Sequence, residues 1–144
     1  MKISLKIILF LVTVGVLNSC KPVSKIPSTS NFRGTVWELK LMHGTQYNLL
    51  TQKISIIFDP KDTTSYSSFA GCNQVKGKYI KEKLDISLES PISTKMACPA
   101  LKTEDDFLEV LSKAERYAIK SHVMYFYNKK DYILAVFDAN YLKK

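Results

Sequence analysis

The chain has 144 residues, the length of a single domain with a short leader, and a formal net charge of +8. Surplus Lys and Arg is common in nucleic-acid-binding proteins, but the N-terminal segment indicates export, which excludes contact with the chromosome. The charge fits attraction to anionic head groups or polysaccharide phosphates, or solubility alone.

The first 19 residues have the features of an export signal. Lys2 and Lys6 form a basic region, and the apolar run 7–17 is shorter than the ~20 residues that span a bilayer. The run ends in "LNSC", which is similar to a bacterial lipobox with Cys20 at the cleavage position. This resemblance implies acylation of Cys20 and a membrane anchor, with the domain facing the periplasm. No acidic residue directly follows Cys20, so one known cue for retention in the inner membrane is missing, and the outer membrane is favoured. An ordinary secretory signal is the alternative.

A stretch rich in Pro, Ser and Lys follows the cysteine. The sequence "KPVSKIPSTSN" has no apolar period, so residues 20–31 are predicted to be a flexible tether between lipid and domain. The folded domain is predicted to occupy residues 32–140.

Five segments of alternating apolar and polar residues come next and predict strands. They are "TVWELKLM" (35–42), "KISIIFD" (53–59), "SYSSFAG" (65–71), "QVKGKYI" (74–80) and "KLDISLE" (83–89). In the last two segments the alternation places six residues inward: Val75, Gly77, Tyr79, Leu84, Ile86 and Leu88. Short polar turns between the segments predict an antiparallel meander.

The period then changes to that of a helix. In "KTEDDFLEVLSKAERY" (102–117) the apolar residues recur at helical spacing, at Phe107, Leu108, Leu111 and Ala114. Thr103 and Asp106 resemble a capping box at the start, and Lys113 and Arg116 lie near the other end. The acidic residues 104–106 could be mistaken for a cation site, but capping and the helix dipole explain them more simply.

The last two strands are predicted to form a hairpin. "HVMYFYN" (122–128) and "DYILAVFD" (131–138) flank the turn "NKKD". Strands, one helix and a hairpin indicate an α+β protein, in which a curled antiparallel meander, like a cracked barrel, packs on one amphipathic helix. The aromatic residues near the hairpin could line a groove for an apolar ligand or belong to the core; they are Tyr125, Phe126, Tyr127, Tyr132 and Phe137.

Two cysteines remain for the domain once Cys20 is assigned to the lipid. In an oxidising compartment a disulfide between Cys72 and Cys98 is the default, closing a loop of about 27 residues. A thiol enzyme would need a base beside the cysteine, and neither His43 nor His122 lies in a motif with one. His43 is expected in an exposed loop and His122 at the end of a hairpin strand. A zinc site would need more ligands, so no metal or cofactor is predicted.

Taken together, the motifs resemble those of the META domain family, also called HslJ-like. The matching segments, within residues 32–138, are "VWELK", "ISIIF", "FAGCNQVKGKY", "TKMAC", "TEDDFLEVL" and "YILAVF". The resemblance implies a curled antiparallel sheet with a helix, paired domain cysteines and a secreted or lipid-anchored envelope protein with no established catalytic residues. Its motif residues here are Trp37, Gly71, Asn73, Gly77, Tyr79, Thr94 and Met96.

The residue types in the motif indicate structural roles. Gly71 and Gly77 would supply backbone freedom at strand ends or bulges, and Asn73 would hydrogen-bond neighbouring backbone in a turn. Trp37 and Tyr79 would anchor the core.

The function predicted on this basis is non-enzymatic. The chain would be a lipid-anchored envelope module for binding or stress tolerance, of the heat-shock or antibiotic-resistance type. Its partners would be the membrane and an unknown envelope protein or apolar ligand. The alternative is a carrier of a lipid or apolar ligand in a half-barrel groove, as in pilot proteins of secretion systems.

Overall fold

The computed structural model describes residues 29–46, 53–94 and 101–140, so Cys20, Met96 and Cys98 lie outside the described residues. Within these ranges the chain forms nine strands and one helix. They are β1 (Val36–Met42), β2 (Thr45–Gln46), β3 (Ile54–Phe58), β4 (Ser65–Ala70), β5 (Gln74–Glu82), β6 (Asp85–Ser93), α1 (Leu101–Lys113), β7 (Arg116–Lys120), β8 (Val123–Tyr127) and β9 (Ile133–Asn140). No helix in these ranges has the length and apolarity needed to cross a membrane.

The strands form one antiparallel sheet that closes on itself. The two-residue β2 only extends β1, and the other strands pair in chain order from β1 through β3 to β9. β1 also pairs with β9, from Val36↔Asn140 to Met42↔Ala135, so eight strands make a barrel. The predicted α+β class, with an antiparallel sheet and one helix, is confirmed over the described ranges. The cracked form of the barrel is not confirmed.

The β6–β7 junction, called the seam below, is the shortest ladder in the described barrel wall. It has one register pair, Asp85↔Arg116. Two backbone hydrogen bonds flank that pair, from the N–H of Ile86 to the carbonyl of Glu115 and from the N–H of Tyr117 to the carbonyl of Leu84, each 2.9 Å. From this pair β6 and β7 extend to opposite sides, and the rest of β6 is not paired with β7.

Helix α1 closes one end of the barrel. It connects the far end of β6 to the start of β7 and packs against β4, β6 and β9, which lie on different sides of the barrel. Its apolar face buries Phe107, Val110 and Leu111 completely. The ring of Phe107 meets Phe137 of β9 edge-on, with 6.5 Å between centroids. The helix therefore fills the space that the diverging strands leave.

The helix differs from its prediction at both ends. It ends at Lys113, and Arg116 lies in β7 instead, because Arg116–Lys120 pairs with β8. The predicted capping box is wrong, since Thr103 lies inside the helix Leu101–Lys113 and not before its first residue.

Residues 29–34, called the strap below, cross the opposite end of the barrel. The N–H of Ser30 donates to the carbonyl of Ser121 in the β7–β8 turn at 2.8 Å. The N–H of Gly34 donates to the carbonyl of Phe58 at the end of β3, at 2.9 Å. Between these two anchors the ring of Phe32 stacks on that of Phe58, with 4.0 Å between centroids. The strap thus covers the end that α1 leaves open.

Side chains fill the interior between the helix and the strap. Six of the completely buried residues are Trp37, Leu39, Phe58, Phe107, Phe126 and Phe137. The five aromatic residues of the hairpin differ in exposure. Phe126 and Phe137 belong to the core, whereas Tyr132 is 67% exposed. Tyr125 and Tyr127 are partly exposed, and their rings stack on each other. They therefore do not line one groove. Leu84, predicted inward, is 52% exposed at the β5–β6 turn.

Candidate functional site around Asn73 and Glu104

The site begins with the turn that joins β4 to β5. Gly71 has φ +94°, in the left-handed region that favours glycine. The N–H of Ala70 donates to the carbonyl of Asn73 at 3.0 Å and closes the turn. Cys72 lies at its tip, partly exposed, between the glycine and the buried asparagine. Local chain reversal thus explains the Gly-Cys-Asn spacing.

Asn73 is 1% exposed and bonds to residues far away in the chain. Its amide Nδ2 donates to Oε2 of Glu104 at 2.8 Å, and its backbone N–H donates to the same oxygen at 3.2 Å. Its Oδ1 accepts from the hydroxyl of Thr94 at 2.9 Å. That hydroxyl also accepts from the N–H of Gln74 at 3.2 Å. The prediction that Asn73 bonds neighbouring backbone missed these long-range partners.

Glu104 is the acceptor at the centre of this cluster. Its side chain, 5% exposed, lies in the first turn of α1, where the helix dipole favours a negative charge. The second oxygen, Oε1, accepts from the hydroxyl of Ser93 at 2.7 Å. The carboxylate therefore accepts three hydrogen bonds from neutral donors, of a kind worth ~1.5–3 kcal/mol each. They join the helix start to the β4–β5 turn and to the end of β6.

Glu104 is not among the site residues predicted from the sequence. The helix dipole is an ordinary explanation for acidic residues in a first helical turn, and it covers all three residues 104–106. A signal was nevertheless present, because Glu104 lies three and seven residues before Phe107 and Leu111, on the apolar face of the helix. A carboxylate in that stripe must be buried with donors around it.

The structure brings Gly71, Asn73 and Thr94 together. The predicted partner of Cys72, Cys98, lies outside the described residues, so the pairing stays a prediction. Thr94 and Glu104, which bracket the undescribed segment 95–100, both bond to Asn73, the neighbour of Cys72.

Gly77 lies apart from this cluster, opposite Tyr66 in the β4–β5 ladder. A Cβ on Gly77 would lie 2.6–2.7 Å from the hydroxyl and ring atoms of Tyr66, so the tyrosine ring occupies the place of a side chain. The β5–β6 register also shifts at this position. The Tyr66 hydroxyl is buried with no hydrogen-bond partner among the described residues, and burial raises its pKa to about 12.

Trp37 and Tyr79 lie near the strap. Trp37 is completely buried, and its indole N–H donates to the carbonyl of Phe32 at 3.1 Å. Tyr79 is buried with its ring edge-on to Phe58, 5.0 Å between centroids, and burial raises the pKa of its phenol.

The histidines and acidic residues form no metal cluster in the described ranges, where no group of three or more His, Cys, Asp or Glu side chains is placed to hold a metal. His43 lies in the exposed turn between β1 and β2. His122 lies in the β7–β8 turn, with Nδ1 3.0 Å from the hydroxyl of Ser30. Asp106 pairs with Lys102 at 3.2 Å on the helix surface.

Two of the cavities on the described surface have a volume of about 400 Å³ each. The first lies at the seam and combines the apolar side chains of Ile80 and Ile86 with Glu115, Arg116 and Lys129. The second lies along β3, β4 and β5, and its lining includes Asp59, Ser67, Lys76 and Gly77. Both are open to solvent on the barrel wall, away from the Asn73–Glu104 cluster.

Comparison with known proteins identifies the domain. The family model described as the META domain matches residues 30–141. A solved NMR structure of a protein from Burkholderia xenovorans is similar, with a TM-score of 0.60 at 20% identity, covering 85% of this chain and 97% of the other. A second NMR structure has a TM-score of 0.57 at 16% identity, covering 74% of this chain and 90% of the other. At these identities the two structures show the shared fold alone. No curated protein matches the chain.

Proposed function

This chain belongs to the META domain family, and from that premise we propose that it is a non-enzymatic module of the cell envelope. In this proposal Cys20 carries the lipid anchor, the tether leads to the barrel, and the barrel binds an envelope partner through its outer wall. The predicted signal peptide and lipobox support the anchor and the location.

The observation that carries the non-enzymatic proposal is the bonding within the motif cluster. The groups that could do chemistry there bond to one another: Asn73 and Ser93 donate to Glu104, and Thr94 donates to Asn73. Substrate contact with Asn73 or Glu104, which are both buried, would require breaking these bonds, at a cost of ~1–3 kcal/mol for each buried group left without a partner. The motif supports a role in holding the helix to the barrel.

Partner binding through the outer wall is supported by the β8 face. Tyr125 and Tyr127 present stacked rings there, inclined by 24° with 6.2 Å between centroids, and the ammonium of Lys120 lies 6.0 Å from the centroid of the Tyr125 ring. Tyr side chains supply large contact areas at low entropy cost and are enriched at interfaces. A filled interior leaves the outer wall as the available contact surface.

The anchor is tested by mass spectrometry of the native protein from membranes. We expect acyl mass on Cys20, and release of the unacylated chain from the membrane fraction in a Cys20→Ala variant. The matched control is Ser19→Ala, which leaves a small residue before the cysteine and should stay acylated. An unacylated Cys20 in the exported protein would refute the anchor while leaving the binding role open.

The stress role is tested separately in a deletion strain. We expect loss of heat or antibiotic tolerance that the wild-type gene restores. A Tyr125→Ser, Tyr127→Ser double variant should fold normally and fail to restore tolerance if the β8 face binds the partner. Full restoration by that variant would remove the outer-wall proposal.

The seam cavity favours a second candidate, a carrier of a lipid or apolar ligand. Ile80 and Ile86 line it and are suited to an apolar group. The charged residues around them are of both signs, Arg116 and Lys129 with Glu82, Asp85 and Glu115, so the lining does not select the charge of a head group. Native mass spectrometry of the purified protein decides this point. A co-purified lipid that is lost in an Ile80→Asp variant would support the carrier, and an empty protein in every preparation would reject it.

A further inference from the structure

The strap end of the barrel contains an aromatic site that is occupied by the chain itself. The ring of Phe32 lies among three aromatic rings from three strands: Phe58 of β3 at 4.0 Å, Tyr117 of β7 at 4.8 Å and Tyr79 of β5 at 5.7 Å between centroids. These three residues are buried within the barrel, whereas Phe32 is only partly buried. The site is therefore built by the barrel, and Phe32 fills it from outside.

A cation stands at the edge of the same site. The ammonium of Lys81 is 5.7 Å from the centroid of the Phe32 ring and 5.2 Å from that of Tyr117, within cation–π distance of both. Lys81 is exposed, and among the described ion pairs none involves it. Its charge is thus available to a group lying beside the aromatic site.

The strap is attached less firmly than the walls of the site. Its β pairing with the sheet is an isolated bridge, Arg33↔Phe58, outside the strand ladders. Separate hydrogen bonds at Ser30, Phe32 and Gly34 also hold it, and these must open when the strap is released. Asn31, Arg33 and Gly34 are exposed, and Gly34 has φ +76°, so the strap turns at a glycine before it enters β1. Releasing the strap breaks no strand pair of the barrel. Local openings of this kind cost less than global unfolding.

We propose that Phe32 is a releasable internal ligand, and that the site it vacates binds an aromatic ring carrying an anionic group. The walls of Phe58, Tyr79 and Tyr117 select a planar apolar ring, and Lys81 selects the negative charge. The external ligand and Phe32 compete for one place, so ligand binding frees the strap. The site is separate from the lipid anchor and from the β8 face, and does not depend on either.

The test uses a ligand that imitates the displaced side chain. 3-Phenylpropionate carries the Phe32 ring and a carboxylate, and 3-phenylpropanamide is its neutral counterpart. Phe32→Ala should bind 3-phenylpropionate at least ~10-fold more tightly than the wild type, because the wild type must first release Phe32. NMR shift changes should centre on Phe58, Tyr79 and Tyr117. The matched control is Tyr132→Ala, which removes an exposed aromatic ring and should create no binding.

The charge preference is tested in the same variant. In Phe32→Ala the carboxylate should bind about threefold more tightly than the amide, and Lys81→Gln should abolish that difference. Equal binding of the two probes in Phe32→Ala would refute the role of Lys81. Absence of any binding by folded Phe32→Ala would refute the site.

Amide hydrogen exchange tests release in the wild-type chain. The N–H of Gly34 in the strap should exchange ~100-fold or more faster than the N–H of Ala139, which donates to the carbonyl of His122 at the same end of the barrel. Equal exchange rates would show that the strap opens only when the barrel unfolds. Failure of Phe32→Ala to fold would refute the proposal too, since a releasable strap must leave a folded barrel behind.

Discussion

Replacing Glu104 with alanine should destabilise the domain far more than the loss of a surface charge. The substitution removes the acceptor of three hydrogen bonds, two from Asn73 and one from Ser93. The Ser93 hydroxyl can turn to the carbonyl of Thr94, 3.0 Å away, but the two donors of Asn73 are left buried without that acceptor. At ~1–3 kcal/mol for each of the two stranded donors, the free energy of unfolding should fall by about 2–6 kcal/mol.

Urea denaturation of the oxidised protein measures this change, with Asp105→Ala as the matched control. Asp105 lies in the same helical turn and meets the same dipole, but its side chain is exposed. Its loss should therefore cost only ~0.3–1 kcal/mol. Glu104→Gln, which keeps the shape and one acceptor oxygen, should lie between the two variants.

The coupling between the partners is measured by a double-mutant cycle with Asn73→Ala. Because the two side chains bond directly, the combined loss should be smaller than the sum of the single losses by more than ~1 kcal/mol. Equal destabilisation by Glu104→Ala and Asp105→Ala would refute the reasoning. It would mean that the carboxylate contributes only through the helix dipole.

Three further predictions concern the core and the cysteines. Gly77→Ala should lower the free energy of unfolding by ~1–3 kcal/mol because of the 2.6–2.7 Å contacts with Tyr66, and Tyr66→Leu should relieve that loss in a double variant. The Tyr66 phenol stays protonated to about pH 12 in the folded chain but ionises near pH 10 when unfolded, so stability present below pH 10 should decline as the pH rises to 12. The urea midpoints of the wild type and of Tyr66→Phe should therefore diverge over that pH range. Midpoints that change with pH in the same way in both proteins would contradict the burial of the Tyr66 phenol. Cys72 and Cys98 should resist alkylation until reduced, and reduction should cost ~3.5 kcal/mol; thiols that react freely in the exported protein would exclude the bridge.

Most of the barrel could be predicted from the sequence because alternation follows from burial of one face. Trp37 and Leu39 alternate with partly exposed residues in β1, and Ile54, Ile56 and Phe58 do so in β3. The same rule found β4, β5, β6, β8 and β9. It missed β7, because Tyr117 continues the spacing of the helix and no Gly or Pro separates the two elements. β2 has only two residues, too few for a period.

Closure of the barrel and the polar cluster could not be read from local patterns. The β1–β9 pairing joins residues about a hundred positions apart, and the amide of Asn140 donates to Glu38 across it at 2.5 Å. Likewise, the partners of Asn73 lie 21 and 31 residues away. Local sequence shows that a side chain will be buried, but only the three-dimensional fold determines which donors it meets.

The pairing of the first strand with the last also sets the order in which the domain can fold. The chain is synthesised from its N-terminus, so β1 can pair with β3 early but must wait for β9, 102 residues later at the Glu38–Asn140 contact. Until then one backbone edge of β1 is unpaired beside the apolar side chains of Trp37 and Leu39. Contacts so distant in sequence form slowly, and open edges promote aggregation. The barrel therefore closes only after the chain has been made as far as β9, and the open sheet that precedes closure is the form of the domain most exposed to aggregation.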